Sequence, residues 1–333
     1  MRETKRAYGR GLVDLGGGCH AWLEPPGSWG LANSGIVVGS GEAMVVDTQN
    51  DVPMALALKA AAHAVAGRSE VTTVVNTHSD GDHWNGNMMF EGARIIASAA
   101  TLAEMKNTWL DPARLSDLAI GDSAFDRFII WRTNVFDYQG WRAVYPTETF
   151  SGAKAVAVGG IEVNLIQVGP AHTSGDTIVF VPSAGVVYAG DILFTGSTPI
   201  VWAGPISRCI AACKRILAFG ALKIVPGHGP ITDAAGVHTV LDYFEFVLDY
   251  ATHQFEAGKS PKEAYAEIDL GAFSALPHAS RVYQNIRVVY NERDPSRFPA
   301  TVRETLDVVL NDDVGGWNPP HESCGSAGNQ RRC

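Results

Sequence analysis

Within Thr77-His78-Ser79-Asp80-Gly81-Asp82-His83-Trp84-Asn85-Gly86, two imidazoles and two carboxylates fall inside six residues: His78, Asp80, Asp82 and His83. A loop can fold back so that alternate side chains reach one centre, and His with Asp is a ligand set for first-row transition ions. Carboxylates this close repel one another unless a cation lies between them. Three further candidates stand far along the chain: His172 in Gly169-Pro170-Ala171-His172-Thr173-Ser174-Gly175-Asp176, Asp191 in Tyr188-Ala189-Gly190-Asp191, and His228 in Pro226-Gly227-His228-Gly229. Each follows an expected strand, with glycine nearby. Such a set suits one metal ion or two.

Short apolar runs separated by turn residues must position these groups. Gly35 to Val38 and Ala43 to Val46, around Gly39-Ser40-Gly41, form an expected hairpin that ends in Asp47. Pro53 opens an Ala-rich helix that stops at Gly67. Val71 to Val75 is a β-branched run leading into the polar stretch Asn76 to Asn87, and Arg94 to Ala97 resumes as strand. Residues 108–150, rich in Trp and Tyr without clean periodicity, read as a lid-like insertion. Two hairpins follow, Ala155 to Val158 with Ile161 to Val168, and Thr177 to Val181 with Val186 to Ala189. A helix over Ile206 to Phe219, a strand at Lys223 to Val225 and a long helix over Val237 to Ala257 complete a second block. Strands then helix, twice, imply an α+β fold of two packed sheets with helices outside. Pro261 to Ile268, Ser280 to Asn291 and Ala300 to Leu310 read as a helical C-terminal extension (about 260–310) of the same domain, 1–310. Residues 311–333, polar and Gly-rich, are expected to be disordered.

With 26 Lys and Arg against 35 Asp and Glu, the net charge of −9 argues against general affinity for nucleic-acid phosphates or an anionic membrane. No stretch of about 18 apolar residues occurs to span a bilayer, and no apolar segment backs the basic N-terminus. The five cysteines, at 19, 209, 213, 324 and 333, lack CxxC spacing and suit a reducing compartment. A cytoplasmic location and a small-molecule substrate are therefore expected. No Ser nucleophile elbow GxSxG is present, and Gly16-Gly17-Gly18 and Gly39-Ser40-Gly41 read as turns, since no Lys-Ser or Lys-Thr follows.

The ordered series HxDxDH, GPAHTSGD, GD after a strand and PGHG resembles the metallo-β-lactamase superfamily over about residues 30–260. The resemblance implies a four-layer αββα sandwich and two divalent metal ions. One would be bound by His78, Asp80 and His172, the other by Asp82, His83 and His228, with Asp191 bridging. Asp47 matches the family's early aspartate and would hold a ligand histidine or its loop from behind; Thr173 and Asp176 would serve as turn or supporting residues. The family more often carries a second histidine where this chain has Asp80. A carboxylate there adds a negative charge and a harder oxygen, so iron or manganese becomes credible beside zinc. Two divalent ions would be balanced by Asp80, Asp82, Asp191 and one hydroxide. The family's diiron flavoprotein branch also has a carboxylate at this position, but its flavodoxin-like domain has no counterpart in this sequence.

A site of this kind lowers the pKa of a bound water from about 15.7 toward 7 and delivers hydroxide to a carbonyl. Hydrolysis of an ester, lactone or thioester, with Asp82 and Asp191 in the catalytic centre, is the leading expectation. The string Ser280-Arg281-Val282-Tyr283-Gln284-Asn285-Ile286-Arg287, with the ligand motif, is similar to a bacterial branch of cyclase and thioesterase-like enzymes of aromatic polyketide secondary metabolism. That similarity implies a metal-dependent cyclase or lyase as an alternative; a non-catalytic metal-binding relative is the third. His278, after Pro277, is a candidate proton donor reaching over the site, and the insertion's Trp and Tyr residues could wall an apolar pocket. If Asp80 sets the metal preference, Asp80→His shifts it toward zinc, measured as metal per chain by elemental analysis of protein purified without added metal.

Overall fold

In a computed structural model of the chain, which describes residues 8–108, 110–299 and 301–313, two twisted sheets lie face to face. The first runs, in spatial order, β1 (Gly11–Gly16), β2 (Cys19–Leu23), β3 (Ser34–Val38), β4 (Glu42–Val46), β5 (Glu70–Val75), β6 (Arg94–Ser98) and β7 (Glu148–Phe150). Pairing is antiparallel from β1 to β4 and parallel from β4 to β7. The second comprises β8 (Ala153–Val158), β9 (Ile161–Gln167), β10 (Thr177–Val181), β11 (Val186–Tyr188) and β12 (Lys223–Val225), adjacent in that order, with only β11 and β12 parallel.

Alternation along the strands assigns each residue to a layer. Val37, Met44 and Val46 meet Val163, Leu165, Val179 and Tyr188 in the core between the sheets. The opposite face of the first sheet, Ile36, Val45, Val74 and Ile95, is covered by Leu58 and Ala62 of helix α1 (Val52–Ala66). Asp51 caps α1 by accepting from the Met54 N–H at 2.8 Å. Outside the second sheet, α5 (Ile206–Ala218) and α6 (Ala234–Glu256) pack on Ile178, Val187 and Ile224. This is the expected αββα order. Cys209 and Cys213 are buried in that outer layer, and burial pushes the Cys213 thiol up to about 12, so they are core residues as expected. Cys324 and Cys333 lie outside the described residues.

Between β5 and β7 come the one-turn helix α2 (Gly81–Trp84), α3 (Ala99–Met105) and α4 (Ala124–Val135), and the C-terminal part adds α7 (Pro261–Glu267), α8 (Val282–Arg293) and α9 (Val302–Asp312). The hairpin β1–β2 escaped the sequence reading because β1 is a half-exposed edge strand broken by glycine and Asp14. The lid-like segment 108–150 holds a 12-residue helix, α4, and its last residues become β7 of the first sheet. The disordered tail expected from residue 311 begins too early: α9 continues to Asp312 and Asp313 is buried, because its carboxylate is bonded to Trp29 and His278. Residues 314–333 lie outside the described residues. Among the described residues no helix is long and apolar enough to cross a membrane.

Segment 108–150 and the C-terminal extension are pinned to each other. Phe125, Phe128 and Ile129 of α4 pack with Leu306, Val309 and Leu310 of α9. Asp126 accepts from Ser123 and Ile120 backbone N–H groups and from Arg303 of α9. Burial raises its carboxyl, but the Arg303 and Ser123 hydrogen bonds outweigh this and hold it well below 3.8. A depressed folded-state pKa stabilises the fold above the unfolded value and loses that contribution in acid. Asp126→Asn therefore lowers the Tm at pH 7, and the gap to the wild type, followed by calorimetry, narrows as pH falls below 3.8.

Candidate metal centre

The site forms where the β4, β5, β9, β11 and β12 strands release their chains at one edge of the sandwich. Asp47 follows β4, residues 77–83 follow β5, His172 follows β9, Asp191 follows β11 and His228 follows β12. All seven residues singled out as ligands come together. The donor atoms of His78, Asp80, His172 and Asp191 lie within 4.8 Å of one another, as do those of Asp82, His83 and His228. This is the partition the family resemblance implied. Asp191 reaches both groups: its Oδ1 is 3.2 Å from His83 Nε2, while its Oδ2 is 3.4 Å from His172 Nε2, 3.3 Å from His228 Nε2 and 3.8 Å from His78 Nε2.

Hydrogen bonds behind the ligands decide which imidazole nitrogen faces the centre. Asp47 Oδ2 lies 2.8 Å from His83 Nδ1 and 2.8 Å from Thr77 Oγ1. A carboxylate only accepts, so both partners donate to it. The Thr77 hydroxyl, its single proton spent on Asp47, must accept from His78 Nδ1 at 2.9 Å. Asp47 thereby directs the Nε2 lone pairs of both His78 and His83 inward, one directly and one through Thr77. The Ile200 carbonyl does the same for His172, accepting from Nδ1 at 2.7 Å. Asp47 itself has φ 60°, a conformation rare outside glycine and tolerated here by its bonds to Thr77 and His83.

Neutral imidazoles held this way point lone pairs at carboxylate oxygens, which is favourable only with a cation between them. His78 Nε2, His83 Nε2 and Asp191 Oδ1 are buried with no hydrogen-bond partner, which fits metal ligands and little else. The same carboxylates attract protons as well as metal ions, so a cation entering the site displaces a proton from an imidazole. Burial raises the Asp191 carboxyl, yet the fields of His228, His83, His78 and His172 hold it well below its ordinary range. Burial lowers His172, but Asp191 and Asp80 lift it to about 9.

Several supporting residues carried no sequence signal. Trp202 donates its indole N–H to Asp80 Oδ2 at 3.0 Å, beside His172 Nε2 at 3.1 Å, so the carboxylate at the position where the family favours histidine has a dedicated partner. Glu104 of α3 ties two ligand loops, accepting from Ser79 and from Ser174. Asp176 closes the His172 loop on Thr173, at 2.9 Å to both its N–H and its hydroxyl. Gly227 of the PGHG string has a steric reason: a Cβ there would lie 1.9 Å from Asp191 Oδ1.

The centre opens into a cavity of about 60 Å³ walled by Trp29, Phe128, Phe194, Ile200, Trp202 and Leu306. A larger cavity of about 260 Å³ adjoins it, sharing Asp80, Gly81, Leu110 and Trp202. The expected aromatic wall is thus real but differently built. Among the described residues the insertion contributes Leu110, Phe128 and Arg132 to this cavity and none of its Trp or Tyr residues; Trp141 and Tyr145 pack on Trp84 behind the ligand loop, and Trp109 lies outside the described residues. His278 does not line the cavity; its Nδ1 is engaged 2.8 Å from Asp313 Oδ2, so a proton-donor role is not supported. His20, His63, His238 and His253 stand outside both ligand groups, and His321 lies outside the described residues.

The sequence model of the metallo-β-lactamase superfamily matches residues 27–228, and the chain belongs to that superfamily, whose members are mostly metal-dependent hydrolases. Among solved structures it is similar to the stereoselective inverting sec-alkylsulfatase Pisa1 from a Pseudomonas species, with TM-score 0.65 and 15% identity over 88% of this chain and 51% of that one. The metallo-β-lactamase from Pontibacter korlensis superposes with TM-score 0.54 and 16% identity, over 70% of this chain and 98% of that one. A curated relative, the 2,4-dinitroanisole O-demethylase subunit alpha of Nocardioides sp. (strain JS1661), is 33% identical over 88 residues, 25% of this chain and 26% of that protein. The chain thus spans about half of the sulfatase and, in the matched stretch, about a quarter of the demethylase subunit.

Replacing Asp47 by alanine frees the rotation of His83 and the tautomer of His78, and metal affinity falls about 10–100-fold. Gly227→Ala, by displacing Asp191, lowers the metal content of both groups. Elemental analysis after dialysis against graded chelator checks both.

Proposed function

We propose that this protein is a binuclear metal-dependent hydrolase of a small ester, lactone or thioester with an aromatic or acyl body, zinc being the leading metal. The observation that supports the reading most is the paired ligand groups sharing Asp191 at the floor of an aromatic cavity. A divalent pair held there supplies Lewis acidity that lowers the pKa of a water from about 15.7 toward 7. The protein's own part is positioning. Asp191 holds the two groups in register, and Asp47 and Ile200 keep the imidazoles from turning. Asp82 is the most accessible ligand of its group, its side chain 12% exposed against 6% for His228, and its carboxylate is placed to take the proton that water gives up. Trp29, Phe194 and Trp202 exclude bulk water, which strengthens each electrostatic contact inside. A flat ring fits between such walls, and the larger adjoining cavity accommodates the remainder of the substrate.

A second reading, hydrolysis of an electron-poor aryl ether, is favoured by the name of the demethylase relative. A panel of aromatic and acyl esters, lactones, thioesters and 2,4-dinitroanisole, run with metal-loaded and chelated protein, tests both. Expected is turnover that follows metal content, reaches its limit near two metals per chain and adds the mass of water to the product. Products of unchanged mass, or of mass less water, would overturn hydrolysis in favour of cyclase or lyase chemistry.

A further inference from the structure

Two positive charges at the cavity are unused by the hydrolase reading. Arg281, in the turn before α8, is 2% exposed and Arg132 of α4 is 5% exposed, and both line the cavity with Asp82, His172, Asp191 and His228. Buried guanidinium groups ordinarily meet a carboxylate. Among the described residues neither of these does. Arg281 gives an N–H to the Thr198 carbonyl at 3.1 Å and lies 4.2 Å over the Trp29 ring and 5.6 Å from that of Phe194, and its Nε has no partner. Arg132 donates to Asn50 Oδ1 at 2.8 Å, and its Nε too has no partner. Burial pulls the Arg281 guanidinium down to about 10 against the fields of Asp313 and Asp191, so it is charged at neutral pH.

The ligand groups do not need these charges. Their carboxylates, Asp80, Asp82 and Asp191, are balanced by the divalent ions they would hold. What remains is an anion from outside, presented next to the metal centre. Its place 4.2 Å over the Trp29 ring and its bond to the Thr198 carbonyl restrain Arg281, and a restrained guanidinium fork suits a planar carboxylate better than a spherical or neutral group.

We propose that the cavity selects substrates that carry a carboxylate on an aromatic or apolar body, with Arg281 as the main specificity-determining residue and Arg132 as its assistant. This deepens the hydrolase reading and rests on it for the ligand being a substrate. The residues argue for it independently of the family match, since Arg281 lies beyond residues 27–228.

Isothermal titration of the metal-loaded full chain with benzoate and with benzamide, its neutral counterpart of the same shape, tests the proposal without turnover. The wild type is expected to prefer benzoate. Arg281→Met should cut benzoate affinity about tenfold or more at unchanged metal content and unchanged benzamide affinity, and Arg281→Lys should retain part of it. Where Arg281→Met fails to fold, Arg281→Lys and Arg132→Met carry the same comparison. Absence of any benzoate preference in the wild type, or a preference that survives undiminished in Arg281→Met or, where that fails to fold, in both Arg281→Lys and Arg132→Met, would overturn the proposal, the metals alone then holding the carboxylate. A chain that distinguishes the two probes through Arg281 but hydrolyses nothing in the panel overturns the hydrolase reading alone.

Discussion

Four imidazoles and three carboxylates crowd their donor atoms into a space a few ångströms wide. The imidazoles of His78, His83 and His172 are acceptors toward the centre because their outer nitrogens are held as donors, and the carboxylates are acceptors throughout. Arranged so, they repel. A cation in the middle reverses the sign of every contact, which makes metal uptake part of what holds this edge of the molecule together. The rest of the fold is intelligible as a frame that tolerates that repulsion.

The frame works because the ligands arrive from strands rather than from one flexible loop. Asp47, the 77–83 segment, His172, Asp191 and His228 leave five strand ends whose positions are set by the inter-sheet core. Moving one ligand away means disturbing a strand that packs on both faces. Asp47 concentrates this logic. Its carboxylate reaches two histidines, one through Thr77, and its unusual backbone angle shows that local strain is outweighed by that double grip.

Much of this was legible in the sequence, and the reasons are specific. The ligand motifs lie where apolar runs end, and short β-branched runs such as Val71 to Val75 announce strands clearly. The order of four motifs then restricts the topology. What could not be read depends on partners that sequence spacing does not encode. Trp202 meets Asp80 only after β11 and β5 are brought to one edge, and Glu104 links Ser79 to Ser174, which lies 70 residues beyond Glu104. Helix α4 was missed because its buried face points toward α9 rather than toward the main core, so its apolar residues, Phe125, Phe128 and Ile129, are interleaved with charge. Asp313 was assigned to a tail because polarity alone was visible, whereas its burial comes from Trp29 and His278, far away in sequence or locked in a left-handed turn.

Part of the cavity wall comes from a stretch of chain that carries none of its floor. Six of the seven floor ligands precede residue 192, and the seventh, His228, closes the span that matches the superfamily, whereas Arg281, in the turn before α8, and Leu306 of α9 lie beyond it. One part of the cavity wall is thus written in text separable from the ligand series. A lineage could exchange one accepted molecule for another through single replacements in the extension, with the reactive centre left as it is, and two chains with the same ligand series need share no substrate at all.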